Sequence, residues 1–330
     1  MPSLTSVAAE AIDDHDISVV IQGPLWPDQE EGIVRCLESI RAHLPNAEII
    51  VSTWLGEDCS AARGIATIIE SPDPGCFRET PERPYNLNRL QQSTMAGLQR
   101  ANRRCTLKFR ADLALLDRRF LRLAQPRAHS LFQRPVTLSN LYIRNPERFP
   151  LLFHVSDTVQ FGLTADLLSY WEGPPWRPDE VLLPGAGTRG LQSRIRLFPE
   201  QAATLRWLAK HGITPALPRA SALDRSMLRT WGQILARNFH VVGWQNTGIC
   251  FPDRFVSDPS VISTLLDEEM AGRLDRHEFS FRKASTNRFL GLTYLVHGKL
   301  GPALSLLQTR FPDLYRKLRS LWIAYQRYRA

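Results

Sequence analysis

The stretch ISVVIQGP, residues 17–24, is an almost continuous run of β-branched and other apolar residues that ends at Gly23 and Pro24. An apolar run of this kind is typical of a central strand that is covered on both faces. The stretch therefore predicts a buried strand that opens into a loop at Gly23.

Helices and strands alternate along the chain after this strand. Residues 32–44 carry apolar side chains at helical spacing, 47–54 and 64–70 are strand-like, and 87–103 is helical before the strand that holds Lys108. This alternation predicts an α/β fold with a mainly parallel sheet between helices, in which ligands bind outside the carboxyl ends of the strands.

The second half of the chain is expected to add strands, helices and one long loop. Strands are predicted at 137–143, 154–163 and 240–244, and helices at 164–171, from Pro199, at about 221–239 and at about 261–275. Residues 172–198, rich in Gly, Pro and Arg, predict a loop that could close over a substrate. We divide the chain into a flexible tail (1–15), one α/β domain (16–250) and a helical, basic C-terminal extension (251–330).

The composition indicates a globular protein with an anionic partner. Of the 330 residues, 43% are hydrophobic and 22% are charged, which lies outside the range of disordered chains. The net charge of +8 and the pI near 9.5 suit nucleic acid, a phosphorylated small molecule or an acidic membrane surface. Five cysteines without a C-x-x-C pair indicate neither a disulfide framework nor a zinc site, so we expect a reducing cytoplasm.

Two C-terminal segments bear on membranes. Residues 289–307 are the most apolar long window, but His297, Lys299 and Pro302 interrupt it, so we expect a helix pair rather than a membrane span. Residues 309–330 place leucines and aromatic residues on one helical face and basic residues elsewhere. That pattern predicts a basic amphipathic helix that contacts an anionic membrane surface.

Several common motifs are absent from the sequence. It contains no G-x-G-x-x-G, G-x-x-x-x-G-K-[ST], G-x-S-x-G or H-E-x-x-H pattern. The sequence therefore gives no support for a dinucleotide-binding fingerprint, a Walker phosphate loop, a serine-hydrolase nucleophile elbow or a zinc-metalloprotease motif.

The segment KFRADLALL, residues 108–116, places Lys108, Arg110 and Asp112 on one strand face, because strand residues alternate between faces. Buried charges need partners, which leaves two interpretations. Arg110 could pair with a distant carboxylate while Asp112 caps a turn. Alternatively, Lys108 or Arg110 neutralises a phosphate while Asp112 holds a divalent cation, a role that needs only one or two carboxylates.

Polar turns follow the first three predicted strands, and the parallel arrangement would bring them to one crevice. They contain Gln22-Gly23-Pro24, Thr53 and Asp73, and each could also be an ordinary turn. Arg89, after Asn88 in the first turn of a helix, opposes the usual dipole preference. Either a bound anion or plain solvent exposure would explain it.

Three titratable residues form a second group. His154 and Asp157 lie in a predicted strand, and Glu200 lies at a helix start after the long loop. Asp157 or Glu200 could act as a general base, while the alternatives are a structural pair and an ordinary helix-start acid.

The ordered series of segments resembles the WavE family of bacterial lipopolysaccharide-synthesis proteins. The resemblance rests on ISVVIQGP, CLESIRAHLPNAEIIVSTW, SPDPG, NLNRLQQST with GLQRA, LKFRADL, HVSDTVQFGLTADLL and FPEQ, from about residue 17 to about residue 250. It implies a GT-A-like, Rossmann-related fold and a glycosyltransferase that moves a sugar from a nucleotide-sugar donor to lipopolysaccharide, capsule or another surface glycan. It also implies a place at the inner face of the cytoplasmic membrane.

The resemblance also implies roles for individual residues. Arg110-Ala111-Asp112 matches the D-x-D motif that holds Mn²⁺ or Mg²⁺, so Asp112 inherits the metal role and Arg110 would replace part of the metal's charge. The implied donor-binding residues are Gln22, Gly23, Pro24, Thr53, Asp73, Asn88, Arg89, Lys108 and Arg110. Glu200 matches the catalytic base, and Asp157, with His154, would lie toward the acceptor.

Two other classes stay open. One is a nucleotide- or sugar-binding protein without catalysis, which the arginine in the D-x-D position keeps open. The other is a nucleic-acid-binding protein, which the basic pI favours and the scattered basic residues oppose. We expect no nucleic-acid partner.

Overall fold

The computed structural model describes residues 10–80, 83–146, 149, 151–183, 195–217, 220, 225–267, 270 and six residues between 311 and 321. The strands are β1 (Glu10–Ala11), β2 (Ile17–Gln22), β3 (Glu48–Trp54), β4 (Thr67–Ser71), β5 (Phe77–Thr80), β6 (Arg83–Tyr85), β7 (Cys105–Arg110), β8 (Ala114–Leu115), β9 (Arg122–Leu123), β10 (Val136–Ser139), β11 (Gln160–Leu163), β12 (Phe239–Val242) and β13 (Ile249–Cys250). The helices are α1 (Ile33–His43), α2 (Leu87–Arg100), α3 (Thr164–Trp171), α4 (Pro178–Val181), α5 (Pro199–Lys210), α6 (Arg225–Asn238), α7 (Asp253–Val256) and α8 (Pro259–Ile262).

A seven-stranded sheet with the order β12-β10-β11-β7-β2-β3-β4 forms the centre of the fold. Strands β2, β3, β4 and β7 are parallel, whereas β11 runs antiparallel to both β7 and β10. The prediction of an α/β fold with a mainly parallel sheet is confirmed, and the sheet is mixed because β11 alone among its seven strands runs against the others. An antiparallel neighbour needs no crossover helix, and the described residues between β10 and β11 form none.

Helices cover both faces of the sheet. In β7, Leu107 and Phe109 point to a core that contains Ile33 and Leu37 of α1. The opposite face carries a second core with residues from α2, α3, α5 and α6: Leu98, Leu167, Trp171, Trp207 and Trp231. Strand β7 therefore alternates between faces, and Lys108 and Arg110 lie on the face opposite Leu107 and Phe109.

The strand order fixes where a ligand would approach. From β2 the chain builds outward through β3 and β4, and it then returns to place β7 on the other side of β2. In open α/β sheets the crevice at such a reversal is the usual ligand site. Gln22 and Arg110 are register partners at the carboxyl ends of β2 and β7, so both border that crevice.

Three predicted elements are shorter than expected. The strand predicted at 137–143 ends at Ser139, and Tyr142 adopts a left-handed φ of 66° that interrupts extended pairing. The strand predicted at 154–163 begins only at Gln160, so His154 and Asp157 lie in an irregular segment. In the region predicted as a helix at 261–275, the first helical segment ends at Ile262 and Leu265 bridges to Arg144, while residue 270 is again helical.

The region after residue 250 packs into the same fold as far as the structure describes it. Phe251 and Leu265 belong to the α1-side core, and Leu266 belongs to the other core. The helix pair predicted at 289–307 lies outside the described residues. Within 309–330 the described residues 313, 314, 317, 318 and 321 are helical. No described helix combines the length and the apolar character that crossing a bilayer requires.

Candidate functional site

The crevice between the ends of β2 and β7 is closed on one side by a tight turn. Gly23 has a φ of 100°, which favours glycine, and its N–H donates to the Ser52 carbonyl at 3.1 Å. The Gly23 carbonyl accepts a hydrogen bond of 2.9 Å from Thr53 Oγ1. These bonds join the end of β2 to β3, and the predicted donor-binding residues Gln22, Gly23 and Thr53 are neighbours at this turn, which Pro24 follows.

Asp112 lies between two arginines at the end of β7. Arg110 donates from Nε and Nη2 to the two Asp112 carboxylate oxygens at 2.9 and 2.8 Å. Arg254 of α7 donates from Nη2 to Asp112 Oδ2. The Asp112 side chain has 0% exposure, against 26% for Arg110 and 48% for Arg254. The partner of Arg110 is therefore the carboxylate two residues away rather than a distant one.

The two guanidinium groups share a pair of aromatic rings. Arg110 lies 6.0 Å from the Trp26 ring centroid and 5.1 Å from that of Phe255. The corresponding distances for Arg254 are 5.6 and 4.9 Å. Trp26 holds a left-handed φ of 46°, a strained backbone that persists where surrounding contacts enforce it. Cation–π contacts thus fix the planes of both arginines.

Lys108 is wholly buried and lies two residues before Arg110 on the same face of β7. Its Nζ donates to the Asp157 carbonyl and lies 5.3 Å from the Trp171 ring centroid. Burial lowers the pKa of Lys108 to about 8, so the ammonium keeps its proton at neutral pH but holds it less tightly than in water.

His154 and Glu200 meet on the same side of the crevice. Glu200 follows Pro199 in the first turn of α5, and its Oε2 lies 3.2 Å from His154 Nε2. The other ring nitrogen, Nδ1, is buried and has no hydrogen-bond partner within the described part of the chain. An orphaned buried nitrogen in a crevice is a feature that calls for an explanation.

The two carboxylates of this group respond in opposite ways to their surroundings. Burial favours the neutral form of Glu200, but the charge on His154 and the hydrogen bond to it outweigh burial and lower the pKa of Glu200. Burial, followed by the negative charge of Glu200, raises the pKa of Asp157 despite the nearby Lys108. Environments that separate the pKa values of two acids are typical of acid–base chemistry.

The remaining predicted donor-binding residues have protein partners. Arg89 donates to both oxygens of Asp73, at 2.8 and 2.5 Å, so an internal carboxylate is the anion at the start of α2. Asn88 hydrogen-bonds both the N–H and the carbonyl of Trp176. Gln22 accepts a hydrogen bond of 3.0 Å from Ser93. The structure thus places Asp73 and Arg89 together, whereas Asn88 anchors the segment that contains Trp176.

The residues around Asp112 fit a divalent cation poorly. Both of its oxygens already accept guanidinium N–H groups, so a cation there would have to displace an arginine. Among the described residues, the cluster of potential metal ligands is Asp13, Asp14 and His15, which precedes β2 and therefore lies at the opposite edge of the sheet. The predicted metal role of Asp112 stays a prediction.

Sequence reasoning missed Arg254, Trp26 and Phe255. Arg254 lies 142 positions from Asp112 in the chain, beyond the predicted end of the α/β domain. In the single-turn helix α7, Asp253 is the first-turn acid and Arg254 the last-turn base, which is the ordinary dipole preference and gives no signal. Nothing local linked it to Asp112.

The mixed sheet, its flanking helices and the crevice at the strand reversal define a Rossmann-like α/β protein. Within this class, the model of a family described as WavE lipopolysaccharide synthesis matches residues 17–287. The chain therefore belongs to the WavE lipopolysaccharide synthesis family, as its resemblance predicted, and the match extends past residue 250 to include Arg254. The family description associates the chain with lipopolysaccharide synthesis. A search of curated proteins finds no match.

Proposed function

We propose that the protein is a GT-A-like glycosyltransferase that moves a sugar from a nucleotide-sugar donor to a lipopolysaccharide, capsule or other surface-glycan acceptor. The observation that carries this proposal is the pair Asp157 and Glu200, whose pKa values are shifted in opposite directions beside buried cations at the strand reversal. Membership of the lipopolysaccharide synthesis family supports the same class of reaction.

Glu200 is the proposed general base. Its lowered pKa keeps it ionised at neutral pH, and the contact with His154 holds the carboxylate in place. As the acceptor oxygen forms its bond to the sugar carbon, its proton passes to Glu200, and the bond from that carbon to the donor diphosphate breaks. The transition state resembles an oxocarbenium ion, as in glycoside hydrolysis.

The cations in the crevice are the proposed stabilisers of the leaving diphosphate. Arg110 borders the reversal point at the end of β7, and Lys108 lies behind it. Preorganised positive groups are most effective where charge develops, because they need no rearrangement during the reaction. Gln22, Gly23, Thr53 and the Asp73–Arg89 pair would surround the nucleotide.

The first test replaces Glu200 by Gln in a transfer assay with UDP-, GDP-, CMP- and dTDP-sugars and lipopolysaccharide-core acceptors. We expect kcat/KM to fall by about 10²- to 10⁴-fold, the usual contribution of a general base, with donor binding unchanged. Donor binding is measured by thermal shift, where a hundredfold excess over Kd stabilises the fold by about 2.7 kcal/mol.

Glu48→Gln is the matched control. Glu48 is another partly buried, hydrogen-bonded glutamate with a lowered pKa, but it begins β3 at the opposite edge of the sheet. Full activity in Glu200→Gln would remove Glu200 from the mechanism. A stabilising shift by none of the donors would contradict the glycosyltransferase proposal itself.

A second candidate is a nucleotide- or sugar-binding protein without catalysis. The occupied carboxylate of Asp112 favours it, because the D-x-D metal position is filled by arginines. Donor-induced stabilisation with no turnover across the acceptors would support this candidate.

We also propose that the protein associates with the inner face of the cytoplasmic membrane through residues 309–330. Leu314, Leu318 and Leu321 are exposed at helical spacing, and basic residues are frequent in this segment. Deleting 309–330 should weaken sedimentation with anionic liposomes by about 1 kcal/mol per surface cation. The proposal would be contradicted if the protein sedimented equally with neutral and anionic liposomes, or if the deletion had no effect.

A further inference from the structure

The cluster of Arg110, Asp112 and Arg254 carries more positive charge than its single carboxylate neutralises. Asp112 is wholly buried and is shared by two guanidinium groups. Glu31 approaches Arg254 Nη1 only to 3.8 Å, at the outer side of the cluster. Lys108, also buried, lies two residues from Arg110 on the same strand face, and the nearby carboxylates of Asp157 and Glu200 act on its charge. Arg110 is 26% and Arg254 is 48% exposed, so the side of each guanidinium that Asp112 does not neutralise is open to an anionic ligand.

Both arginines keep hydrogen-bond donors that the described residues do not use. A guanidinium has five N–H groups, and Arg110 commits one from Nε and one from Nη2 to Asp112. Arg254 commits one from Nη2 to the same carboxylate. Both guanidinium groups lie within cation–π distance of Trp26 and Phe255, and their unused donors are of the kind that binds phosphate oxygens.

A divalent cation cannot share this arrangement. It would need oxygen ligands, and both oxygens of the available carboxylate point to guanidinium groups. A cation within reach of Asp112 would also be repelled by both arginines. Two arginines thus occupy the carboxylate to which the family resemblance assigned a metal role.

We infer that Arg110 and Arg254 bind the donor diphosphate directly and replace the metal, with Asp112 as the positioning residue that holds the two guanidinium groups together. This inference rests on the proposed function, since the diphosphate belongs to the proposed donor. As the sugar–oxygen bond breaks, the leaving diphosphate gains negative charge, which the arginine pair stabilises without a divalent cation.

The test uses inorganic pyrophosphate as the probe and isothermal titration calorimetry of the full chain, first in EDTA and then in Mn²⁺. We expect binding in EDTA, with little change on adding Mn²⁺. Arg254→Gln and Arg110→Gln should each weaken it by about tenfold or more, the usual loss for a charge-assisted hydrogen bond. Arg254→Lys, which keeps the charge but loses the planar donors, should give an intermediate loss.

Arg104→Gln is the control for net charge. Arg104 precedes β7 at the far edge of the sheet and pairs with Glu10. Its side chain is 47% exposed, which closely matches the 48% exposure of Arg254. Circular dichroism checks that each variant is folded. If Arg254→Gln does not fold, the Arg254→Lys variant replaces it in the binding test. Binding that requires Mn²⁺, or that the Arg254 variants leave unchanged, would overturn the inference.

The outcomes separate this inference from the proposed function. Sugar transfer that depends on Mn²⁺ would reject the arginine pair as the metal's replacement and leave the glycosyltransferase intact. Metal-free pyrophosphate binding that depends on Arg254, without transfer to any acceptor, would support the arginine pair and favour the non-catalytic candidate.

Discussion

Each edge of the central sheet carries a carboxylate between two arginines, but the two carboxylates have opposite surroundings. At the amino edge, Glu10 pairs with Arg104 at 3.0 Å and Arg134 at 3.2 Å, and its side chain is 34% exposed. At the carboxyl edge, Asp112 is fully buried between its arginines. Exposed ion pairs contribute little to stability, and buried ones have a large desolvation cost. In our proposal the buried cluster serves ligand binding, which the exposed pair at the amino edge does not.

The neighbours of the two carboxylates differ in the same way. Near the amino edge, Asp166 is satisfied by the backbone N–H groups of Gln133 and Arg134 at 2.9 and 3.0 Å. At the carboxyl edge, His154 Nδ1 is buried without a partner among the described residues. His154 thus gives the carboxyl edge a buried polar atom that a ligand would satisfy, whereas Asp166 is already satisfied by the backbone.

Replacing Asp112 by Ala should give the largest loss of stability. Removing one member of a buried ion pair costs about 3–5 kcal/mol, and we expect the lower part of that range because the arginines are partly exposed. Urea unfolding followed by circular dichroism measures the change. A loss no larger than that of Glu10→Ala would remove the proposed difference between the two edges.

Replacing Lys108 by Met should change stability in a pH-dependent way. Burial lowers the pKa of Lys108 to about 8 in the folded protein, whereas the unfolded chain holds the proton to about 10.5. The unfolded state therefore binds more protons in this window, and the wild type gains stability relative to Lys108→Met as the pH rises from about 8 to about 10.5. The gain should be on the order of 3 kcal/mol.

The measurement is the difference in unfolding free energy between the wild type and Lys108→Met at several pH values. Lys210→Met, at a partly exposed lysine whose burial also lowers its pKa, should show a smaller change. A difference that stays constant from neutral to alkaline pH would show that Lys108 is not buried as a cation.

Replacing Glu10 by Ala should give the smallest effect. An exposed ion pair contributes below about 1 kcal/mol, and salt screens it strongly because the Debye length falls to about 3 Å at 1 M. The loss measured by urea unfolding should therefore almost vanish in 1 M NaCl, while the loss for Asp112→Ala persists. A salt-resistant effect at Glu10 would make the two edges equivalent.

Local patterns predicted the parallel half of the sheet well. Strands β2, β3 and β7 and helices α1 and α2 have continuous apolar runs or helical spacing, and contacts within each element are enough to define them. The prediction failed at 154–159 and at 263–267, where apolar residues pack without regular structure. Whether an apolar segment pairs as a strand depends on the neighbour it meets, which is a property of the sheet.

The sequence by itself determined the α/β class and the placement of Lys108 and Arg110 on one strand face, because strand alternation is a local property. Asp112 was predicted on the same face, but β7 ends at Arg110 and Asp112 lies in the turn that follows. Only the tertiary structure decided the antiparallel position of β11 and the partners of each charge. It brought Arg254 to Asp112 across 142 positions and set His154 against Glu200. The physical reason is that burial and electrostatic pairing depend on distances between segments, which no spacing along the chain encodes.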